Sequence, residues 1–190
     1  LKTLEDRSLV RMRATLVQDL ARNKNRIKSF LYFHGLELPE AFIKNDGRWS
    51  NRYIQWIESL NMPEQSGTYS LQAIVTASKN LRVSVLQITK QINELSKTES
   101  YLDNVILLRS IPGIGLLTSM VLLTELETLN RFVSFNKLCS FIGLIPSTHS
   151  SGENAVVGEI TRRGHSVLRS TIIESSWVAV RQDPALIKSY

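Results

Sequence analysis

The residues from Pro146 to Gly152, P-S-T-H-S-S-G, hold the chain's best candidates for covalent chemistry. A serine hydroxyl beside glycine is sterically open, so Ser151, and after it Ser150, could act as a nucleophile. His149 is of the right type to serve as a general base. Serine and glycine also fill loops for conformational reasons alone, and this stretch reads as a loop.

Two further motifs could hold phosphate. Arg162, Arg163, His165 and Arg169 surround Gly164, where a helix from Ser166 through Arg181 is predicted to begin. Guanidinium forks at a helix start suit a phosphate, and a solvated basic face is the plainer alternative. The second motif is I-P-G-I-G, residues 111–115, between helices predicted over 102–110 and 116–126. It reads as helix-hairpin-helix: Pro112 fixes the approach, Gly113 and Gly115 leave the amides unobstructed, Ile114 is an apolar plug, and Ser119 packs between helices. Such hairpins contact sugar and phosphate rather than base edges. A plain glycine turn between packed helices is the alternative.

Other chemistries lack their residues. Glu153, Glu159, Glu174 and Asp183 do not form a spaced carboxylate set for two metals, and there is no Cys/His zinc spacing, P-loop or dinucleotide fingerprint. No metal site is therefore expected in this chain.

The elements that must position these motifs are helical. With 190 residues, 43% of them hydrophobic and 21% charged, the chain can bury a core. Lys plus Arg number 23 against 17 Asp plus Glu, and the resulting charge of +6 favours polyanionic partners. The single cysteine, Cys139, lies in apolar L-C-S-F-I-G and reads as a buried structural thiol, which suits a reducing cytoplasm. No apolar run approaches the roughly 20 residues of a membrane span. The chain opens at Leu1, already inside a helical pattern, as a piece of something longer would.

Residues 4–34 read as a long helix with apolar Leu9, Leu16, Leu20, Ile27, Phe30 and Leu31 on one side. Its polar side is basic, with Arg22, Lys24, Arg26 and Lys28 as candidate contacts to a nucleic acid backbone. A connector follows Gly35 and Pro39, with a short amphipathic helix over 52–60, and Trp49, Tyr53, Trp56 and Ile57 at helical spacing read as a packing stripe. From Thr68 the positions Leu71, Ile74, Ser78, Leu81, Val85, Ile88, Ile92 and Leu95 step by three and four, a heptad seam. The first helix carries polar residues at its own seam positions, Arg13 and Asn23, so an antiparallel helical hairpin, completed by another subunit, fits better than an isolated helix. Beyond Tyr101 the helices are shorter, with Phe132, Phe135, Leu138 and Phe141 as core positions and a short strand near 155–160.

The runs I-P-G-I-G-L-L-T-S, R-F-V-S-F-N-K-L-C-S-F-I-G-L-I-P-S-T-H-S-S-G-E and I-T-R-R-G-H-S-V-L-R-S-T-I-I-E-S-S-W, in that order, resemble the C-terminal transposase domain of the IS-one-ten insertion-sequence family, which includes the Piv-type DNA invertases. The N-terminal half, including R-N-K-N-R-I-K-S-F-L-Y-F-H-G-L, is similar to the family's coiled-coil region. The resemblance implies a nuclease-like domain with four metal-binding acids ahead of the coiled coil, Mg as cofactor of the full-length protein, DNA as partner together with, in some members of the family, a structured guide RNA, and a composite active site completed by a serine. That serine falls on Ser151, with Ser150 the less favoured neighbour. Ser151 would hold the cleaved strand as phosphoserine while Arg162, Arg163 and Arg169 position the phosphate.

The expectation is thus a mainly all-α protein: a long antiparallel coiled-coil hairpin over 1–100, then a compact helical transposase domain with the helix-hairpin-helix motif over 101–190. It would be cytoplasmic, self-associating through the coiled coil, and inactive alone as a fragment. The competing expectation is a DNA-binding and oligomerisation module without chemistry.

Overall fold

A computed structural model describes residues 2–43, 49–151, 154–160 and 163–189. In order they form α1 (Lys2–Phe33), α2 (Glu40–Ile43), α3 (Asn51–Glu58), α4 (Gln65–Leu95), α5 (Leu102–Arg109), α6 (Leu116–Leu126), a 3-10 turn (Leu129–Arg131), α7 (Phe135–Ile142), strands β1 (Pro146–Ser151) and β2 (Asn154–Ile160), α8 (Ser166–Gln182) and α9 (Pro184–Ser189). The protein is mainly all-α, as its sequence periodicity demands.

Two compact units divide the chain: residues 11–90, and residues 1–10 together with 91–190. This grouping differs from a cut at residue 101, because side chains of the first turns of α1 bind residues far along the chain. Arg7 Nε donates to the Thr124 carbonyl at 2.8 Å, and the Tyr101 hydroxyl donates to Asp6 Oδ2 at 2.7 Å.

The core of the 11–90 unit comprises Ile27, Leu31, Phe42, Tyr53, Ile57, Leu71 and Val75. The aromatic stripe supplies its centre: Tyr53 and Ile57 are almost wholly buried, and Tyr53 meets Trp49 edge-on at 5.3 Å. Every seam position named in α4 from Leu71 to Leu95 is buried or half-buried. The polar interruptions of α1 are cross-links. Buried Asn23 donates Nδ2 to the Ile74 carbonyl at 2.8 Å, and Arg13 Nε donates to Thr89 Oγ1 at 2.8 Å. Later residues of α1 thus meet earlier residues of α4, an antiparallel order.

The other unit is centred on Leu122, Ile142 and Leu168, with Ile114, Leu138 and Phe141 packed against them. Ser119 is fully buried, as a small residue between helices should be. Three expectations are corrected here. Phe135 is 75% exposed, because it begins α7 just beyond the capping serine Ser134. Cys139 is half-buried rather than buried. The segment from Pro146 to Ser151 is a strand, not a loop: it pairs antiparallel with β2, Thr148 opposite Val157 and Ser151 opposite Asn154.

Candidate functional site: a hairpin ribbon rooted on a glycine crossing

The site is organised by two glycines. Gly143 caps α7 with φ 86°, and Gly164 precedes α8 with φ 112°, conformations that favour glycine. They are pressed together. A Cβ on Gly164 would stand 2.6 Å from the Gly143 Cα, and one on Gly143 would stand 2.5 Å from the Arg163 carbonyl oxygen. No side chain fits between these backbones. The crossing therefore brings the entry to β1, the exit from β2, where Ile160 lies opposite Pro146, and the start of α8 to one place. The His165 amide donates to the Phe141 carbonyl at 3.0 Å, and Arg169 Nη1 reaches the Gly143 carbonyl at 3.4 Å.

His165 does more than flank the glycine. Its Nδ1 accepts from the Leu168 amide at 3.3 Å, capping α8, while its Nε2 lies 2.9 Å from Glu125 Oε2. An accepting Nδ1 puts the proton of a neutral ring on Nε2, where it donates to the carboxylate. Glu125 is buried and also lies 3.6 Å from Arg7 Nε, so its charge is compensated from two sides. Arg7 pairs with Glu127 as well. Both ring nitrogens of His165 are thus engaged within the chain, and its evident work is to position the start of α8. Nothing local in the sequence marks Glu125, on the third turn of an apolar helix, as its partner.

The hairpin glycines divide the labour differently from the expectation. Gly113, with φ 84°, packs onto α8: a Cβ there would meet the Ser175 carbonyl oxygen at 2.2 Å. Ile114 joins the core, as its role of plug requires. Pro112 and Gly115 are exposed, and Gly115 begins α6 without a side-chain cap, so the first-turn amides remain available to an anion.

Ser150 and Ser151 lie in β1, opposite Ala155 and Asn154, at the end of the ribbon away from the crossing. Arg163 is exposed at the crossing end. Five residue steps along β1 separate the two ends by about 15 Å, so the ribbon does not place Ser151 beside Arg163. Arg162 lies outside the described residues. On α1, Arg22, Arg26 and Lys28 are exposed, and Arg22 pairs with Asp19 at 3.1 Å. Lys24 turns away from them and sits over the Trp49 ring, 5.2 Å from its centroid. Among the described residues no group of three His, Cys, Asp or Glu could hold a metal ion, so they do not fit a Mg centre. No helix is long and apolar enough to cross a membrane.

Fold and ribbon define a helical unit carrying a two-stranded hairpin, and sequence comparison shows what it is similar to. Residues 106–190 match the model of the transposase IS116/IS110/IS902 family. The chain is 25% identical over 188 residues to the transposase of insertion sequence element IS1111A from Coxiella burnetii, covering 95% of this chain and 49% of that protein. It is 24% identical over 177 residues to the transposase of element IS1533 from Leptospira borgpetersenii, covering 90% and 49%. A third relative, the transposase of element IS1328 from Yersinia enterocolitica, is 22% identical over 92% of this chain and 50% of its own length. The C-terminal region of the chain, residues 106–190, is thus similar to the IS116/IS110/IS902 transposase family, and the chain spans about half the length of these curated relatives.

Proposed function

We propose that this chain is the part of an insertion-sequence transposase that binds DNA and presents Ser151 to a composite active site. The match of residues 106–190 to the transposase family carries the reading, and Ser151 at the free end of a rooted ribbon is consistent with it. In the proposed step the Ser151 Oγ attacks a backbone phosphorus and loses its proton. The bond from phosphorus to the leaving sugar oxygen breaks, that oxygen gains a proton, and the strand is held as a phosphoserine ester. Attack by another sugar hydroxyl reverses the sequence and rejoins DNA. Metal ions, where the reaction uses them, take their ligands from outside the described residues.

Arg163 and Arg169 at the crossing, Pro112 to Gly115 at the hairpin, and Arg22, Arg26 and Lys28 on α1 supply backbone contacts in this reading. Self-association through α1 and α4 and a structured guide RNA as a second polyanion complete it. The test uses a longer protein containing this chain. Ser151→Ala abolishes strand exchange and leaves DNA binding largely intact, Ser150→Ala has a small effect, and a phosphoserine adduct is trapped only when Ser151 is present. Full exchange by Ser151→Ala would overturn the assignment, as would metal-dependent cleavage by the 190 residues alone. A binding module without chemistry is the second reading, favoured by the length of β1 that separates Ser151 from Arg163.

A further inference from the structure

The 11–90 unit holds a cleft of about 590 Å³ whose wall includes Lys24, Trp49, Glu58, Lys79, Arg82 and Val83. Among the described lining residues, cations outnumber acids. Glu58 is the one acid in the lining and is taken by Lys79 at 2.8 Å. Among the described residues Arg82 reaches neutral acceptors, the Trp49 carbonyl at 3.5 Å and Asn51 Oδ1 at 3.4 Å. Lys24 lies over the Trp49 ring with no carboxylate among its described contacts. Burial, then the like charges of Arg82 and Lys28, hold the Lys24 ammonium below the usual lysine range. Trp49 itself takes φ 70°, an uncommon conformation for a bulky residue that turns the chain at the mouth of the cleft.

A site with two cations that no described carboxylate compensates, an aromatic ring and apolar walls asks for a ligand with an anion attached to a flat, partly apolar body. A phosphate would relieve the repulsion between Lys24 and Arg82, and a base would cover Trp49, Val83 and Leu86. The volume of about 590 Å³ can take one nucleotide. We propose that this cleft captures an unpaired nucleotide of single-stranded nucleic acid, its phosphate between Lys24 and Arg82 and its base against Trp49. The proposal rests on nucleic acid as the partner, not on the Ser151 chemistry.

The experiment measures binding of labelled eight-residue oligo-dT and oligo-rU, and of a blunt duplex of equal length, by fluorescence anisotropy across a salt series. The wild-type chain is expected to prefer a single strand to the duplex, and the two oligomers distinguish DNA from RNA as its source. Lys24→Gln with Arg82→Gln is expected to weaken single-strand binding at least about tenfold and to flatten the salt slope by about one unit. Trp49→Leu should cost at least about fivefold with the slope unchanged. Circular dichroism melts confirm that each variant is folded, and Trp49→Phe serves in place of a misfolded Trp49→Leu, retaining binding within about threefold. Unchanged affinity and slope in the double variant, or equal losses for duplex and single strand, would overturn the proposal. Neither result bears on strand exchange by Ser151, which is read in a separate assay.

Discussion

Substituting Gly164 by alanine tests whether the glycine crossing roots the ribbon and α8. The new methyl would stand 2.6 Å from the Gly143 Cα, 2.7 Å from its nitrogen and 3.0 Å from the Ile142 carbonyl carbon, all of them backbone atoms that cannot swing aside. Forced separation of packed segments costs about 1–3 kcal/mol. A φ of 112° adds about 1–3 kcal/mol of strain for a residue with a Cβ. The smaller entropy of the unfolded alanine chain offsets about 0.5–1 kcal/mol of this. The net expectation is a loss of about 3 kcal/mol, or roughly 12 °C in melting temperature. Gly115→Ala is the internal control: its φ is −91°, and nothing lies within 4 Å of a Cβ there. It should change stability by less than about 1 kcal/mol. Urea and thermal unfolding followed by circular dichroism measure both. A loss below about 1 kcal/mol for Gly164→Ala, or equal losses for the two variants, would refute the crossing as a structural root. Gly143→Ala in the same background should cost less than it does alone, because the first methyl has already parted the backbones.

Two further outcomes concern the unit containing the ribbon. Burial first, then the hydrogen bond to Asp6 and the charge of that carboxylate, push the Tyr101 phenol up from its ordinary value. A raised folded value means that this contribution is intact below the unfolded value of about 10 and is lost as pH rises beyond it. Tyr101→Phe should therefore cost about 1.5 kcal/mol at neutral pH and flatten the alkaline loss above about pH 10, measured by urea melts across that range. Glu125→Ala should cost about 3 kcal/mol by leaving Arg7 and His165 facing a void, whereas Glu125→Gln, which still accepts from His165 Nε2, should cost about half as much. Equal losses for these two variants in the same unfolding assay would show that the carboxylate is not the centre of the network.

Much of the helical scaffold was legible because helix signals are local. The three-and-four stepping of α4 marked its inward face, the aromatic spacing around α3 marked a core, and the boundaries of α6 follow from Gly115 and the end of its apolar run. The order of three short motifs was sufficient to indicate the transposase family, whose model matches residues 106–190. Phe135 was misread because its apolar character says nothing about which side of a short helix faces the core.

What only the tertiary structure decided depends on residues distant in sequence. Pro146 to Ser151 becomes a strand because Asn154 to Ile160 comes back to pair with it, and isolated polar residues carry no such signal. Gly164 reads alone as a flexible joint between basic residues, yet its role comes from Gly143 across the crossing. His165 resembles a phosphate ligand until Glu125, forty residues earlier, takes one nitrogen and α8 takes the other. Lys24 belongs by sequence to the row of Arg22, Arg26 and Lys28, and it leaves that row for Trp49 and Arg82. The periodicity of a chain determines which residues can be buried, since that follows from backbone geometry. Which charges meet, and which glycines touch, follows from close packing between elements that no local pattern encodes.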